Sequence, residues 1–253
     1  QLPLLISTHT CGDFNNNLNH RQLFELPEIE YVVGDAYRGE EPIVEHLRRH
    51  ATALREFGKP LLVTEYGGNP MGASRQRLAA DLHGGMWASF FLEEAGTPFL
   101  WWHDFIHRGN QYQHFLGFSR FMAGIDPRGK VFRHRTLTVS RIDGTADQTM
   151  SCFTAGNNDE QYAWVFVRQL MIEYPETPEA VAELELQADR RLALDGLEPG
   201  GIYLVRFLNP LSGQAVGGEI LATAEAGKLD LALPPFHADL AIKVIRERPV
   251  GGL

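Results

Sequence analysis

Lys59-Pro-Leu-Leu-Val-Thr-Glu-Tyr-Gly67 is the most informative part of this sequence. Its apolar run begins at Leu61 and leads directly into Glu65, and Gly67 and Gly68 follow. An apolar run of that length between glycine and proline signals predicts a strand buried on both faces, which is typical of parallel α/β sheets. Barrels of this class keep their functional side chains at the carboxyl ends of the strands, so Glu65 is a candidate catalytic residue. The alternative is a glutamate in a solvated loop.

The composition limits the possible classes of protein. The chain has 253 residues, of which 44% are hydrophobic, and this is enough for one large or two ordinary domains. A formal net charge of -9 disfavours a nucleic-acid-binding surface. No apolar run reaches the length of a transmembrane helix, so we expect no membrane partner. The two cysteines, Cys11 and Cys152, have neither metal-binding nor redox spacing.

Residues 1–126 alternate between strand-like and helix-like segments. This alternation predicts parallel strands joined by helices. Gly58 is expected to cap the first long helix, and Pro60 prevents the helix from continuing. The predicted strands are 4–10, 29–35, 61–64 and 97–102, and the predicted helices are 42–57, 74–94 and 116–123.

Residues 127–248 follow a different pattern, with short apolar segments broken by Gly, Pro and Asn. Short strands at this spacing predict an antiparallel β-sandwich. Trp164 lies in an alternating run and is expected to be packed. Residues 249–253 are expected to form a tail. The predicted strands are 137–141, 162–168, 181–187, 191–194, 201–208, 219–224, 228–233 and 240–245.

Several motifs, in their order, resemble the C-terminal half of a (β/α)8-barrel glycoside hydrolase of the cellulase-like group, clan A. The stretch Lys59–Gly67 resembles the strand-seven pattern of that family, and Phe99-Leu-Trp-Trp-His-Asp104 resembles the strand-eight pattern. Between them, residues 81–90 resemble a helix of bacterial members, and residues 26–37 resemble the approach to the strand-six motif. Residues 196–213 resemble the small β-sandwich appended to these barrels. The fold implied is α/β plus β, with strands five to eight of a TIM barrel followed by the sandwich.

The resemblance implies a retaining mechanism with two glutamates. Glu65 matches the nucleophile, and Tyr37 matches the tyrosine that donates a hydrogen bond to it. Retention needs a second carboxyl group roughly 5 Å away as acid/base. Asp35 stands where the family has a histidine, which is a departure from the pattern. No cofactor is implied.

Aromatic and polar residues near the same strand ends are the candidate substrate-binding residues. Trp102 matches the strand-eight tryptophan that forms a floor for a sugar ring, and sugar C–H patches stack well on such faces. Trp101 is expected to point to the opposite side. His103, Asp104 and, more distantly, His9 could bind sugar hydroxyl groups, as could Asp35. The alternative for His103 and Asp104 is a solvated loop.

The largest departure from the family is an absence. The chain supplies about four strand-helix units, whereas a closed barrel needs eight. The acid/base glutamate that follows strand four of the family has no counterpart here. We therefore expect the N-terminal half-barrel as a separate or cleaved chain, or a homodimer. Family resemblance suggests a secreted or periplasmic protein that acts on an oligo- or polysaccharide.

Two other classes of function stay open at this point. The chain could be a catalytically incomplete carbohydrate-binding or structural module. A weaker alternative is a metal-dependent hydrolase with ligands from His9, Asp35, Glu65, His103 and Asp104. No close metal-ligand spacing supports the metal hydrolase, so we expect no metal.

Overall fold

The computed structural model of the protein describes Ser7, residues 21–69 and residues 71–247. The predicted strand 4–10 and the tail 249–253 lie outside the described residues, apart from Ser7. The chain divides into two compact units. One contains the described residues up to Tyr112 together with Gln169–Glu176, and the other contains Gln113–Arg168 and the described residues from Thr177 onward.

The first unit is a mixed α/β structure with two parallel strands. Strand β1 pairs with β2 in parallel, as the alternating pattern predicts. Glu65 lies inside β2, which extends two residues beyond the predicted end of the strand. The elements of the first unit, in chain order, are α1 (Arg21–Phe24), β1 (Val32–Ala36), α2 (Ile43–Leu54) with a 3-10 turn (Arg55–Phe57), β2 (Leu61–Tyr66), α3 (Arg75–Phe91) and α4 (His103–Arg108).

The segment after α3 runs beside β2 but is not a regular strand, so the predicted strand 97–102 is only partly formed. Two isolated parallel bridges join it to β2, at Leu61 with Glu94 and at Tyr66 with Leu100. The Trp101 N–H also donates to the Tyr66 carbonyl oxygen at 2.9 Å. Pro98 has no N–H to donate, and this interrupts a regular ladder.

Two long helices of the first unit pack on each other through small residues. Helix α2 buries its apolar stripe, and Gly58 ends the following turn with a φ of 61°, as predicted. Helix α3 begins after Ser74, whose side chain accepts from the Arg77 N–H at 3.1 Å. A Cβ at Gly84 would lie 2.7 Å from Ile43 Cγ2, so glycine permits the close approach of the helices.

The second unit consists of two antiparallel sheets that share one hydrophobic core. The six-stranded sheet has the order β3-β5-β6-β11-β8-β9, and the three-stranded sheet has the order β10-β7-β4. Helix α5 (Tyr112–Met122) precedes these strands in the chain. The strands are β3 (Arg133–Leu137), β4 (Val139–Arg141), β5 (Met150–Gly156), β6 (Glu160–Val167), β7 (Arg190–Asp195), β8 (Ile202–Leu208), β9 (Ile220–Thr223), β10 (Lys228–Ala232) and β11 (Asp239–Arg246).

The shared core draws side chains from both sheets. Cys152 and Val165 from the large sheet meet Leu192 and Leu229 from the small one. Trp164 is fully buried, as predicted, and its Nε1 donates to Asp239 Oδ2 at 2.8 Å.

The sequence-based predictions for this unit are wrong at three places. One is β3, of which only Leu137 falls within a predicted strand. Residues 181–187 are not a strand, because Thr177 caps and Pro178 begins a short helix, α6 (Pro178–Ala182). Strand β5 is absent from the predicted strands, and all of its residues are buried. A strand buried on both faces lacks the alternation that marks a half-exposed strand.

In the described part of the chain, no helix is long and apolar enough to cross a membrane.

Candidate active site

Tyr37 and Glu65 meet at the carboxyl ends of the two parallel strands. Tyr37 directly follows β1, and its hydroxyl group donates to Glu65 Oε2 at 3.0 Å. Both side chains are partly buried. This is the hydrogen bond that the family resemblance implies, although 28 residues separate the partners.

A β-bulge sets the direction of Glu65. The register between β1 and β2 shifts so that Gly34 pairs with Val63 and Asp35 with Glu65, which leaves Thr64 as the extra residue. An extra residue reverses the side-chain alternation beyond it. Tyr66 therefore lies on the more buried face of β2, where its ring packs against Gly85 of α3, and Glu65 lies with Thr64 on the less buried face.

Asp35 lies beside Glu65 on the neighbouring strand. Its side chain is buried, and Thr64 Oγ1 donates to Asp35 Oδ1 at 3.4 Å. Asp35 therefore places a second carboxylate near the Tyr37–Glu65 hydrogen bond. Asp35 as a substrate-binding residue stays a prediction.

Trp102 is hydrogen-bonded to the loop that follows Glu65. Its Nε1 donates to the Gly67 carbonyl oxygen at 2.9 Å, and the indole is partly buried. Gly67 has a φ of 109°, and a Cβ there would lie 2.4 Å from Leu100 Cδ1. Glycine at this position therefore allows the chain just after β2 to pass close to the Leu100 side chain.

Trp101 is the more open of the two tryptophans, with 52% of its surface exposed. Phe99, two residues earlier, is 60% exposed. Phe99 and Trp101 flank Leu100, which forms the isolated bridge with Tyr66. This exposed aromatic pair is not among the residues that the sequence predicts for the site.

His103 and Asp104 form the exposed first turn of α4, not a loop. His103 Nδ1 lies 3.1 Å from the Trp101 carbonyl oxygen, and Asp104 pairs with Arg108 at 3.3 Å. These contacts keep both side chains within their own segment of the chain. The roles of His103 and Asp104 in binding hydroxyl groups stay predictions. His9 lies outside the described residues.

No group of three or more His, Cys, Asp or Glu side chains suited to a metal ion occurs among residues 21–69 and 71–247. In the described structure, the set His103, Asp104, Asp35 and Glu65 therefore does not converge on a common point.

A buried ion pair lies close to the site and is not among the residues predicted from the sequence. Arg38, the residue after Tyr37, donates from Nε to Asp81 of α3, and both side chains are fully buried. Burial raises the pKa of Asp81, and Arg38 and the Gly68 N–H oppose that effect. An aspartate within the apolar sequence of a buried helix is the signal that could have revealed it.

The fold is similar to that of solved glycoside hydrolases. A family 30 endoxylanase from Clostridium papyrosolvens aligns with a TM-score of 0.51 at 9% identity, over 94% of this chain and 56% of that one. A family 5 glycoside hydrolase from Bacteroides vulgatus aligns with a TM-score of 0.48 at 10% identity, over 87% and 51%. A family 44 xyloglucanase from Paenibacillus polymyxa aligns with a TM-score of 0.43 at 8% identity, over 93% and 50%.

The chain therefore shares its fold with the endoxylanase and spans little more than half the length of that protein. At such low identity the likeness concerns the fold alone. No protein-family model and no curated protein matches the sequence.

Proposed function

We propose that this chain is part of a retaining glycoside hydrolase that cleaves β-glycosidic bonds in an oligo- or polysaccharide, with Glu65 as the nucleophile. The observation that carries the proposal is the 3.0 Å hydrogen bond from Tyr37 to Glu65 at the carboxyl end of a parallel strand. A tyrosine donor stabilises the carboxylate form that attacks, and it fixes which oxygen faces the substrate.

The chemistry proceeds in two displacements. A Glu65 oxygen attacks the anomeric carbon, the bond to the leaving oxygen breaks, and an acid protonates that oxygen. Water then attacks the glycosyl ester, gives up its proton to the same acid/base group, and releases Glu65. Tyr37 keeps its proton throughout and holds the carboxylate.

The acid/base carboxyl group belongs, in this proposal, to the other half of a barrel. In the described residues, Glu65 and Asp35 are the carboxylates at this strand edge, and Asp35 is buried. The fold match leaves 44% of the endoxylanase chain without an equivalent here, since 56% is covered. The interpretation of the two units as a half-barrel with an appended β-sandwich rests on the same comparison. We also propose that the protein acts on an oligo- or polysaccharide and that it is secreted or periplasmic.

The test uses the full-length protein and activated aryl β-glycosides, with xylan among the polymers because of the endoxylanase likeness. Glu65→Gln is expected to lower kcat by several powers of ten while sugar binding is retained. Glu28→Gln, a change at an exposed glutamate in the same unit, is the matched control and should leave kcat unchanged.

A chemical rescue identifies the nucleophile directly. In Glu65→Ala, azide can enter the vacated space and attack the anomeric carbon, giving a glycosyl azide of inverted configuration. The assignment is wrong if Glu65→Gln retains more than about a tenth of the activity, because loss of a covalent nucleophile costs far more. Sugar binding without turnover by the intact wild-type protein would favour the carbohydrate-binding module.

The partner hypothesis has its own measurement. We expect these 253 residues alone to show little or no glycosidase activity, because leaving-group protonation is lost. Sedimentation should show a homodimer, or association with a polypeptide that supplies the first half-barrel. A stable monomer with full activity would contradict this expectation.

A further inference from the structure

The Arg38–Asp81 pair connects the two loops that follow the site strands. Arg38 is adjacent to Tyr37, and its side chain forms a fully buried ion pair with Asp81. The second oxygen of Asp81, Oδ2, accepts the backbone N–H of Gly68 at 2.5 Å. Gly68 lies three residues after Glu65. One carboxylate on α3 therefore binds both the loop that begins with Tyr37 and the loop that follows Glu65.

The loop after Glu65 has little freedom to take another shape. Gly68 has a φ of 58°, in the left-handed region, and a Cβ there would lie 2.6 Å from Ala73 Cβ. The hydrogen bond to Asp81 satisfies the N–H that this turn directs inward. Asp81 thus selects one conformation of the chain just beyond the proposed nucleophile.

The loop after Tyr37 is held from several directions. Arg38 Nη1 donates to the Glu41 carbonyl oxygen at 2.6 Å, and Nη2 donates to the Ile172 carbonyl oxygen at 2.8 Å. Arg77, on the first turn of α3, donates to the carbonyl oxygens of Arg38, at 2.8 Å, and of Gly39. The backbone next to Tyr37 is therefore anchored to α3 by two arginines.

A buried ion pair is a poor explanation of stability, because well-packed apolar residues of similar size are often equally stable or more so. Directional hydrogen bonds, in contrast, fix geometry. We propose that Arg38 and Asp81 are positioning residues that hold the Tyr37 hydroxyl group and the Glu65 carboxylate in hydrogen-bonding register. The catalytic consequence rests on the proposed function, whereas the geometric consequence does not.

The test is the double variant Arg38→Met, Asp81→Leu in the full-length protein. Apolar replacement of both partners leaves no uncompensated charge, so cooperative unfolding is expected. The Gly68 N–H and the Glu41 and Ile172 carbonyl groups lose their partners, so the Tm should lie below that of the wild type. We expect kcat on an aryl glycoside to fall at least about tenfold while KM changes less than about threefold, since a displacement of about 1 Å has large effects on reaction geometry. A crystal structure of the variant should show Tyr37 Oη and Glu65 Oε2 more than about 3.5 Å apart.

The matched control is Arg190→Met, Asp147→Leu in the second unit. Asp147 is likewise buried, lies 2.7 Å from Arg190 Nε, and accepts a backbone N–H, from Thr149 at 3.0 Å. This variant should keep kcat and the Tyr37–Glu65 distance. Equal loss of activity in both double variants would show a general stability effect and overturn the proposal.

Two outcomes separate this inference from the proposed function. A folded Arg38→Met, Asp81→Leu variant that keeps the 3.0 Å hydrogen bond overturns the positioning role, even if Glu65→Gln is inactive. If Glu65→Gln remains active, the proposed function fails, but the crystallographic distance still tests the pair. Should the double variant not fold, Arg38→Lys is used, since it keeps the buried charge pair with Asp81 but cannot reproduce the separate hydrogen bonds of the guanidinium group to Asp81, Glu41 and Ile172. An unchanged Tyr37–Glu65 distance in Arg38→Lys would also overturn the proposal.

Discussion

Tyr37 Oη donates a 3.0 Å hydrogen bond to Glu65 Oε2. Tyr37 directly follows β1, and Glu65 is the penultimate residue of the parallel neighbour β2. The bulge at Thr64 makes this contact possible, because it turns Glu65 away from the helices that Tyr66 faces. Asp81 accepts hydrogen bonds from Arg38 and from the Gly68 N–H, which lie just after Tyr37 and Glu65 in the chain. The site is thus determined by strand register as well as by residue type.

Tyr37→Phe removes only the hydroxyl group that binds Glu65. A hydrogen bond to a charged group contributes about 1.5–3 kcal/mol, so kcat/KM should fall by roughly 10- to 100-fold. Steady-state kinetics on an aryl β-glycoside measure the effect. Tyr112→Phe, which removes an exposed hydroxyl group that contacts His107, is the control. Equal kinetics for the two variants would contradict a role for Tyr37.

Trp102→Ala should weaken oligosaccharide binding by roughly 1–3 kcal/mol if its indole stacks on a sugar ring. Calorimetry in a Glu65→Gln background avoids hydrolysis during the titration. Trp101→Ala is the comparison, because Trp101 is 52% exposed and lies one residue away. A binding loss confined to Trp101→Ala would transfer the sugar-platform role from Trp102 to Trp101.

Glu94 is expected to make stability depend on pH. Both of its carboxyl oxygens are buried, with no hydrogen-bond partner among the described residues, and burial raises its pKa from 4.5 to about 8. Between these values the unfolded chain loses a proton that the folded protein keeps. The free energy of unfolding should therefore fall as pH rises, by up to about 1.4 kcal/mol per pH unit.

The measurement is thermal unfolding of Glu94→Gln from pH 4 to pH 9. The variant lacks the titrating group, so its Tm should exceed that of the wild type increasingly toward about pH 8 and converge with it near pH 4.5. Glu93→Gln, at the neighbouring residue that pairs with Arg55 at 2.7 Å on the surface, is the control. A constant difference in Tm across this range would refute the assignment.

Gly85→Ala should destabilise the first unit. A Cβ at Gly85 would lie 2.4 Å from the ring of buried Tyr66, and overpacking of this kind costs typically about 1–3 kcal/mol. Gly39→Ala is the control, because a Cβ there meets nothing within 4 Å. Chemical denaturation of both variants measures the difference. A Gly85→Ala protein as stable as Gly39→Ala would show that Tyr66 can move aside.

The sequence alone determined the local features of this protein. The run from Leu61 predicts β2, Gly58 and Pro60 predict the end of the preceding helix, and the alternation around Trp164 predicts its burial. These features depend on neighbours within a few residues, whose periodicity and turn chemistry are visible in one chain. The match of Lys59–Gly67 and Phe99–Asp104 to family patterns also indicated the glycoside hydrolase fold.

Contacts between distant residues, in contrast, depend on the tertiary structure. Strand β5 is buried on both faces and has no alternating pattern, and residues 181–187 contain a helical turn set by Thr177 and Pro178. The bulge at Thr64 is a property of the pairing between two strands, not of either strand. Arg38 and Asp81 are 43 residues apart, and nothing in the local pattern around either one specifies the other. Long-range pairing depends on the packing of whole elements, so the position of the Glu65 carboxylate was decided by the fold.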